Sequence, residues 1–148
     1  MQSLEELSYD VAVRALGQQE RLLDDLRART ATLLTAAALI GSFLGAQAIR
    51  LHGLSGWVIL AFAAFALTIV LTVYVLLPKA KLIFALDASQ VYEGLYEVHD
   101  NEAEVHRRLA YWIQTFRLEN QPAIRRMTLA FRVAAGTLLL ELALLGLD

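Results

Sequence analysis

Three blocks of the chain, residues 30–49, 57–77 and 127–147, are built almost entirely from apolar side chains. A helix needs about 20 such residues to cross the roughly 30 Å hydrocarbon layer of a bilayer. Residues 57–77 meet that requirement most cleanly, with 21 residues and no charge. Trp57 and Tyr74 lie near the two ends, where amphipathic rings favour the headgroup level. Pro78 stops this helix, and Lys79 and Lys81 mark the return to water. Residues 30–49 also lack charge, and Arg27, Arg29 and Arg50 flank them. Thr30, Thr32, Thr35, Ser42 and Gln47 do not prevent insertion, because such side chains bond backbone carbonyls or neighbouring helices. Only residues 50–56 separate the first two blocks, which predicts an antiparallel helical hairpin. The third block is interrupted by Arg132 and Glu141. Arg132 sits within snorkelling reach of the interface, whereas Glu141 lies six residues from Leu147, about 9 Å at the helical rise. An interfacial helix is the competing picture for this block, but its faces are not segregated as such a helix requires.

The stretches between the blocks predict amphipathic helices. Ser3 with Glu6 forms a capping-box pattern. Leu4, Leu7 and Val11, then Leu22, Leu23 and Leu26, mark one apolar stripe. Asp10–Arg14, Arg21–Asp25 and Asp25–Arg29 are helical i,i+4 pairs. Gly17 is the only weak point, so one helix is expected from about residue 4 to about residue 49. Asp87 with Gln90, and Asn101 with Glu104, are further helix starts. Val91, Leu95 and Val98 mark the buried side of a short helix beside Tyr92 and Tyr96. Val105, Leu109, Trp112, Ile113 and Phe116 mark the face of the next one. Asn120 before Pro122 predicts that a last helix begins near residue 122. The expected fold is all-α: a single polytopic membrane unit with three transmembrane helices. Residues 1–29 and 78–126 then form long amphipathic cytoplasmic helices.

Composition narrows the class. The chain has 148 residues, of which 57% are hydrophobic and 19% charged. Ordinary soluble domains are about half apolar and about a quarter charged. The absence of cysteine excludes a disulfide scaffold, and the hydrophobicity excludes a disordered chain. A net charge of −2 argues against a basic nucleic-acid binder. Arg14, Arg21, Arg27 and Arg29 precede the first block, and seven basic residues lie in 78–126, while the hairpin tip carries only Arg50. The positive-inside rule then places the N-terminus and the middle segment in the cytoplasm, with the tip and the C-terminus outside. The first 29 residues are polar and helical, so no signal peptide is expected. Eleven Arg against two Lys, with abundant Ala and Leu, suggests a GC-rich bacterial genome and hence a bacterial inner membrane.

Four groups of residues carry candidate chemistry. Ala37, Gly41 and Gly45 place small residues on one helix face, either as a seam between copies in a homo-oligomer or as packing within one chain. Arg132 and Glu141 are nine residues apart, on opposite faces of a helix, so neither neutralises the other. Glu141 lines a polar path, contacts a partner or reaches the outer headgroups. Lys79, Lys81, Arg125 and Arg126 sit at the membrane surface. With Arg107, Arg108 and Arg117 they suit anionic lipid, or an anionic cytoplasmic ligand such as a nucleotide. His99, Glu102 and His106 share a helical side but match no metal motif, and His52 reads as a solvated turn residue. No nucleophile–base arrangement, P-loop or dinucleotide fingerprint is present, so neither an enzyme nor a cofactor or metal is expected.

The run DDLRARTATLLTAAALIGSFLGAQ entering a two-span hairpin, then VLLPKAKLIFALD, an acidic stretch with EVHRRLAYWI and a terminal apolar helix, resembles a group of small bacterial membrane proteins. That group includes the transmembrane effectors of Pycsar and SLATT type. The resemblance rests on architecture over most of the chain, on the L-R-x-R-T run of residues 26–30 and on the F-A-L-D of residues 84–87. It implies a protein that responds to a cytoplasmic nucleotide and damages the inner membrane. The leading expectation is therefore a non-enzymatic homo-oligomer of pore-forming or membrane-disrupting type. The alternatives are an anchor or scaffold recruiting a cytoplasmic partner protein, and a small ion channel or transporter using Glu141.

Overall fold

Helix starts and stops follow local chemistry. The Ser3 hydroxyl accepts from Glu6 N–H at 3.1 Å and opens α1, Leu4–His52. Ser55 accepts from Val58 N–H at the start of α2, Gly56–Leu76. Leu77 is extended, as a residue before proline should be, and its N–H closes on the Val73 carbonyl. Asp87 accepts from both the N–H and the hydroxyl of Ser89 and caps α3, Ala88–Leu95. A single 3₁₀ turn, Tyr96–Val98, follows. Asn101 accepts from Glu104 N–H to open α4, Glu102–Leu145. The computed structural model describes residues 3–52, 55–78, 82–98 and 101–146, and these are helical with no strand. Three of the helices, α1, α2 and α4, are long and apolar enough to cross a membrane.

The expectation of a separate last helix from residue 122 is corrected. Pro122 lies inside α4, which runs unbroken from Glu102 to Leu145. Asn120 does not cap a helix. It is 1% exposed, and its amide pairs with a distant backbone. Its Oδ1 accepts from Ile83 N–H at 3.0 Å and its Nδ2 donates to the Ile83 carbonyl at 2.7 Å. With the capping group so engaged, the helix simply continues. Pro122 removes one bond to the carbonyl four residues back, that of the exposed Leu118.

The chain divides into two compact units. The first comprises Met1–Asp24 and Lys79–Ile124. Here α1 and α4 run parallel: Tyr9 meets His106, with ring centroids 5.4 Å apart, and the Gln19 amide donates to the Arg117 carbonyl. Ala12, Leu16 and Ile113 are the buried centre, covered by Tyr9, Phe84, Leu86 and Ala110. Gly94 of α3 lies directly under the Trp112 ring, leaving no room for a side chain.

The second unit comprises Asp25–Pro78 and Arg125–Asp148. Its interior combines small and hydroxyl-bearing residues with the larger Val58, Val75, Met127, Leu138 and Leu144. Ala37 and Ala48 of α1, Ala61, Ala64, Thr68 and Thr72 of α2, and Ala130 and Ala134 of α4 are all buried. Its outside carries the large apolar side chains Leu39, Phe43, Leu60, Leu67, Val70, Leu129, Val133 and Leu139. An exterior this rich in large apolar side chains accords with helices long and apolar enough to cross a membrane. The polar side chains are satisfied within their own helices: Thr30, Thr32, Thr35 and Ser42 each donate to the carbonyl one turn back. Gly41 faces Phe65 and Gly45 faces Phe62, so α2 runs antiparallel to α1. Thr68 and Thr137 hydroxyls meet at 2.7 Å and join α2 to α4.

Two substitutions test the packing of the first unit. Gly94→Ala forces its methyl into the Trp112 ring and should cost about 1–3 kcal/mol in detergent unfolding, as overpacking does. Asn120→Ala should cost about 1–3 kcal/mol by stripping partners from Ile83. It should also abolish slow hydrogen exchange at the Ile83 amide, and unchanged protection there would show that the amide clamp does not hold.

Candidate functional site

Among the described residues of the second unit, Arg27 and Glu141 each bury a polar atom without a partner, and Glu141 is the more deeply buried. Thr137, Glu141 and Leu145 succeed one another at one-turn spacing on α4. Helical phase therefore carries Glu141 inward with them. Its side chain is 1% exposed, and its Oε2 has no hydrogen-bond partner among the described residues. Around it lie Gly41 and Gly45 of α1, Ala61 and Phe62 of α2, and Leu145 of α4. The space they enclose is too narrow for a water molecule. The missing side chains of the two glycines are what bring α1 this close. Methyls placed there would stand 2.9 Å from Phe65 Cε2 and 3.2 Å from Phe62 Cζ.

The small-residue stripe thus has an occupant within the chain. Ala37 is fully buried, Gly45 is buried and Gly41 half-buried, and the facing surface is α2. Arg132, by contrast, is exposed on the outside of α4. Arg125 and Arg126 are exposed near the polar end of the α4 span, and Lys79 and Lys81 lie outside the described residues.

In the first unit the basic set divides. Arg107 and Arg108 both bind Glu104, at 2.6 Å and 3.0 Å, and Arg108 also reaches the Gly94 carbonyl. The hydrogen bond from Arg108, followed by that from Arg107, holds the Glu104 carboxyl below the usual carboxylate range. These two arginines therefore serve an internal carboxylate, while Arg117 is exposed. His106 packs its ring on Tyr9, and His99 lies outside the described residues. No cluster of metal-ligating residues occurs among the described residues.

A second feature of the first unit was not visible in the sequence. The parallel pair of α1 and α4 leaves a groove of about 460 Å³ between them, lined mainly by apolar residues such as Leu4, Val11, Ala15 and Tyr111, with Glu5, Ser8, Gln114, Arg107 and Arg117 among its walls. Leu4 is 74% and Tyr111 69% exposed. The sequence hides the groove because its walls come from residues about one hundred positions apart.

Two predictions follow from these geometries. Gly41→Leu must displace Phe65 and should lower stability in detergent by about 1–3 kcal/mol, with Gly41→Ala milder. Equal melting of Gly41→Leu and parent would show that α1 and α2 do not meet at this residue. Glu104 has a folded pKa below its unfolded one, so its contribution is present above the ordinary glutamate range and is lost as pH falls through the lowered value. Glu104→Gln should therefore be less stable than the parent at neutral pH, and the two should converge on acidification.

No protein-family model matches the chain, and neither a curated protein nor a solved structure does.

Proposed function

We propose that the chain is a non-enzymatic protein of the bacterial inner membrane that assembles as a homo-oligomer and permeabilises the bilayer, as a pore-forming or membrane-disrupting effector. In this reading the first unit lies in the cytoplasm and the second in the membrane. The observation that carries it is the apolar groove of the first unit. A surface such as Leu4, Val11 and Tyr111 is a cost in water and marks an interaction site.

The occupant we assign to the groove is a second copy of the chain. The first unit also carries a second exposed apolar surface, Tyr92 and Tyr96, whose ring centroids lie 5.6 Å apart on the α3 side. On α4, Tyr111 and Gln114 face the groove, whereas Trp112 and Phe116 line a cavity with Gly94 and Val91 of α3. The mean directions of these two sets differ by roughly 150° around the helix. One unit thus presents a groove and a second, tyrosine-bearing apolar patch on nearly opposite sides. Such unlike patches join head to tail and close into rings when the rotation permits. Rings of the first unit would gather the spans of neighbouring chains into one membrane assembly.

The test is made with purified protein in lipid vesicles. The parent should cross-link to a defined oligomer and release an entrapped dye. Tyr111→Glu, which charges the groove, should shift the protein to monomers and slow release more than about tenfold, as loss of an interface hot spot does. A parent that stays monomeric, leaves vesicles tight and instead retains a cytoplasmic protein would replace this reading with that of a membrane anchor.

A further inference from the structure

We propose that Glu141 is a proton-binding site within the membrane spans, closed by the contact of α1 on α4. The inference rests on the spans lying in lipid but not on assembly into oligomers. It begins from the unpartnered Oε2 of a side chain that is 1% exposed. An ionised carboxyl in such a place needs water, a basic side chain, a metal ion or a proton.

Among the described residues, the surroundings supply none of the first three. The cleft formed with Gly41, Gly45, Ala61, Phe62 and Leu145 has no room for water. Neither packed helix brings a basic group. Residues 30–49 of α1 and 57–77 of α2 contain no charge, and Tyr74 of α2 lies about 20 Å along the helix from Ala61. Arg50 is exposed at the end of α1, five residues beyond Gly45 and so about 140° away from the face that meets Glu141. The side chain of His52 lies outside the described residues. On α4 itself, Arg132 is nine residues away, on the opposite face, and exposed. A dehydrated metal ion needs several oxygen ligands, and here the cleft offers one carboxyl among apolar neighbours. A proton needs a single lone pair and no coordination shell.

The geometry also shows how the site would exchange. Because Gly41 and Gly45 present no side chains, the seal over Glu141 consists of α1 backbone against α4 together with the Phe62 ring. A small separation of α1 from α4 would admit water and allow the carboxyl to release its proton, and reclosure would require taking one up. Proton binding is thereby coupled to the packing of the spans.

The experiment uses the full chain in vesicles and the apolar reagent dicyclohexylcarbodiimide. This reagent reacts with a carboxyl that carries its proton. The carboxyl oxygen adds to the central carbon while the proton moves to one nitrogen. Migration of the acyl group to nitrogen then gives a stable N-acylurea, with nothing lost. Peptide mapping should place the adduct on Glu141, and the rate should fall about tenfold per pH unit above the midpoint of the site. Glu141→Gln should lose the adduct. Gly45→Leu, which props the seal open, should move the midpoint toward that of an exposed glutamate. The pH series on the parent alone decides the matter if either variant fails to fold. An unreactive Glu141 at every pH, or a rate independent of pH, overturns the proposal. Chain recovered with the vesicles and unreactive there would sink this site while leaving the membrane reading intact. Chain not recovered with them would sink the membrane reading itself.

Discussion

Lipid gives helices no hydrophobic reason to associate, and it supplies no water to backbone or side-chain polar groups. The second unit is organised by that constraint. Alanine and glycine let its helices approach, and threonine and serine hydroxyls return to their own helix carbonyls. Many bulky side chains, among them Leu39, Phe43, Leu60, Leu129 and Leu139, point outward, while Val75, Met127 and Leu138 fill the interior. The Thr68–Thr137 pair is a side-chain bond between two of these helices, and it sits one turn from Glu141 on α4. A carboxyl oxygen left unpartnered in such an interior is therefore an exception to the rule that the threonine and serine hydroxyls obey.

The first unit follows the opposite rule although it uses the same two long helices. There Leu16, Ile113, Phe84 and Tyr9 fill the centre, and arginine–carboxylate pairs such as Arg107–Glu104 lie outside. One sequence thus switches solvent logic along α1 and along α4 without a helix break. The switch matters for function because each unit keeps one feature its own solvent does not favour. In the first it is an exposed apolar groove, and in the second a buried acid.

What the sequence made legible was local. The length of α1 could be read because nothing between Leu4 and Ile49 stops a helix, and the caps at Ser3, Asp87 and Asn101 are bonds to residues two or three positions on. What stayed hidden was long-range. Asn120 looks like a cap before Pro122 and instead clamps Ile83, 37 residues away. Gly94 carries no mark of its role in the sequence, and it makes room for Trp112. The stripe of Ala37, Gly41 and Gly45 announces close approach but not its partner, because Phe62 and Phe65 carry no mark distinguishing them from lipid-facing phenylalanines. Glu141 was identifiable as an intramembrane charge from its place in the third block. That it points inward, with one oxygen unpaired, required helix phase and neighbours together.

The lipid-solvated arrangement of the second unit is tested most directly by side-specific labelling, which the absence of native cysteine makes clean. Single cysteines replace Ser55 and Gly146 at one end of the three helices, and Ala28 and Arg126 at the other, and a membrane-impermeant maleimide is added to sealed vesicles. The arrangement predicts that Ser55→Cys and Gly146→Cys react from one side and Ala28→Cys and Arg126→Cys from the other. Labelling of all four from the same side would contradict it.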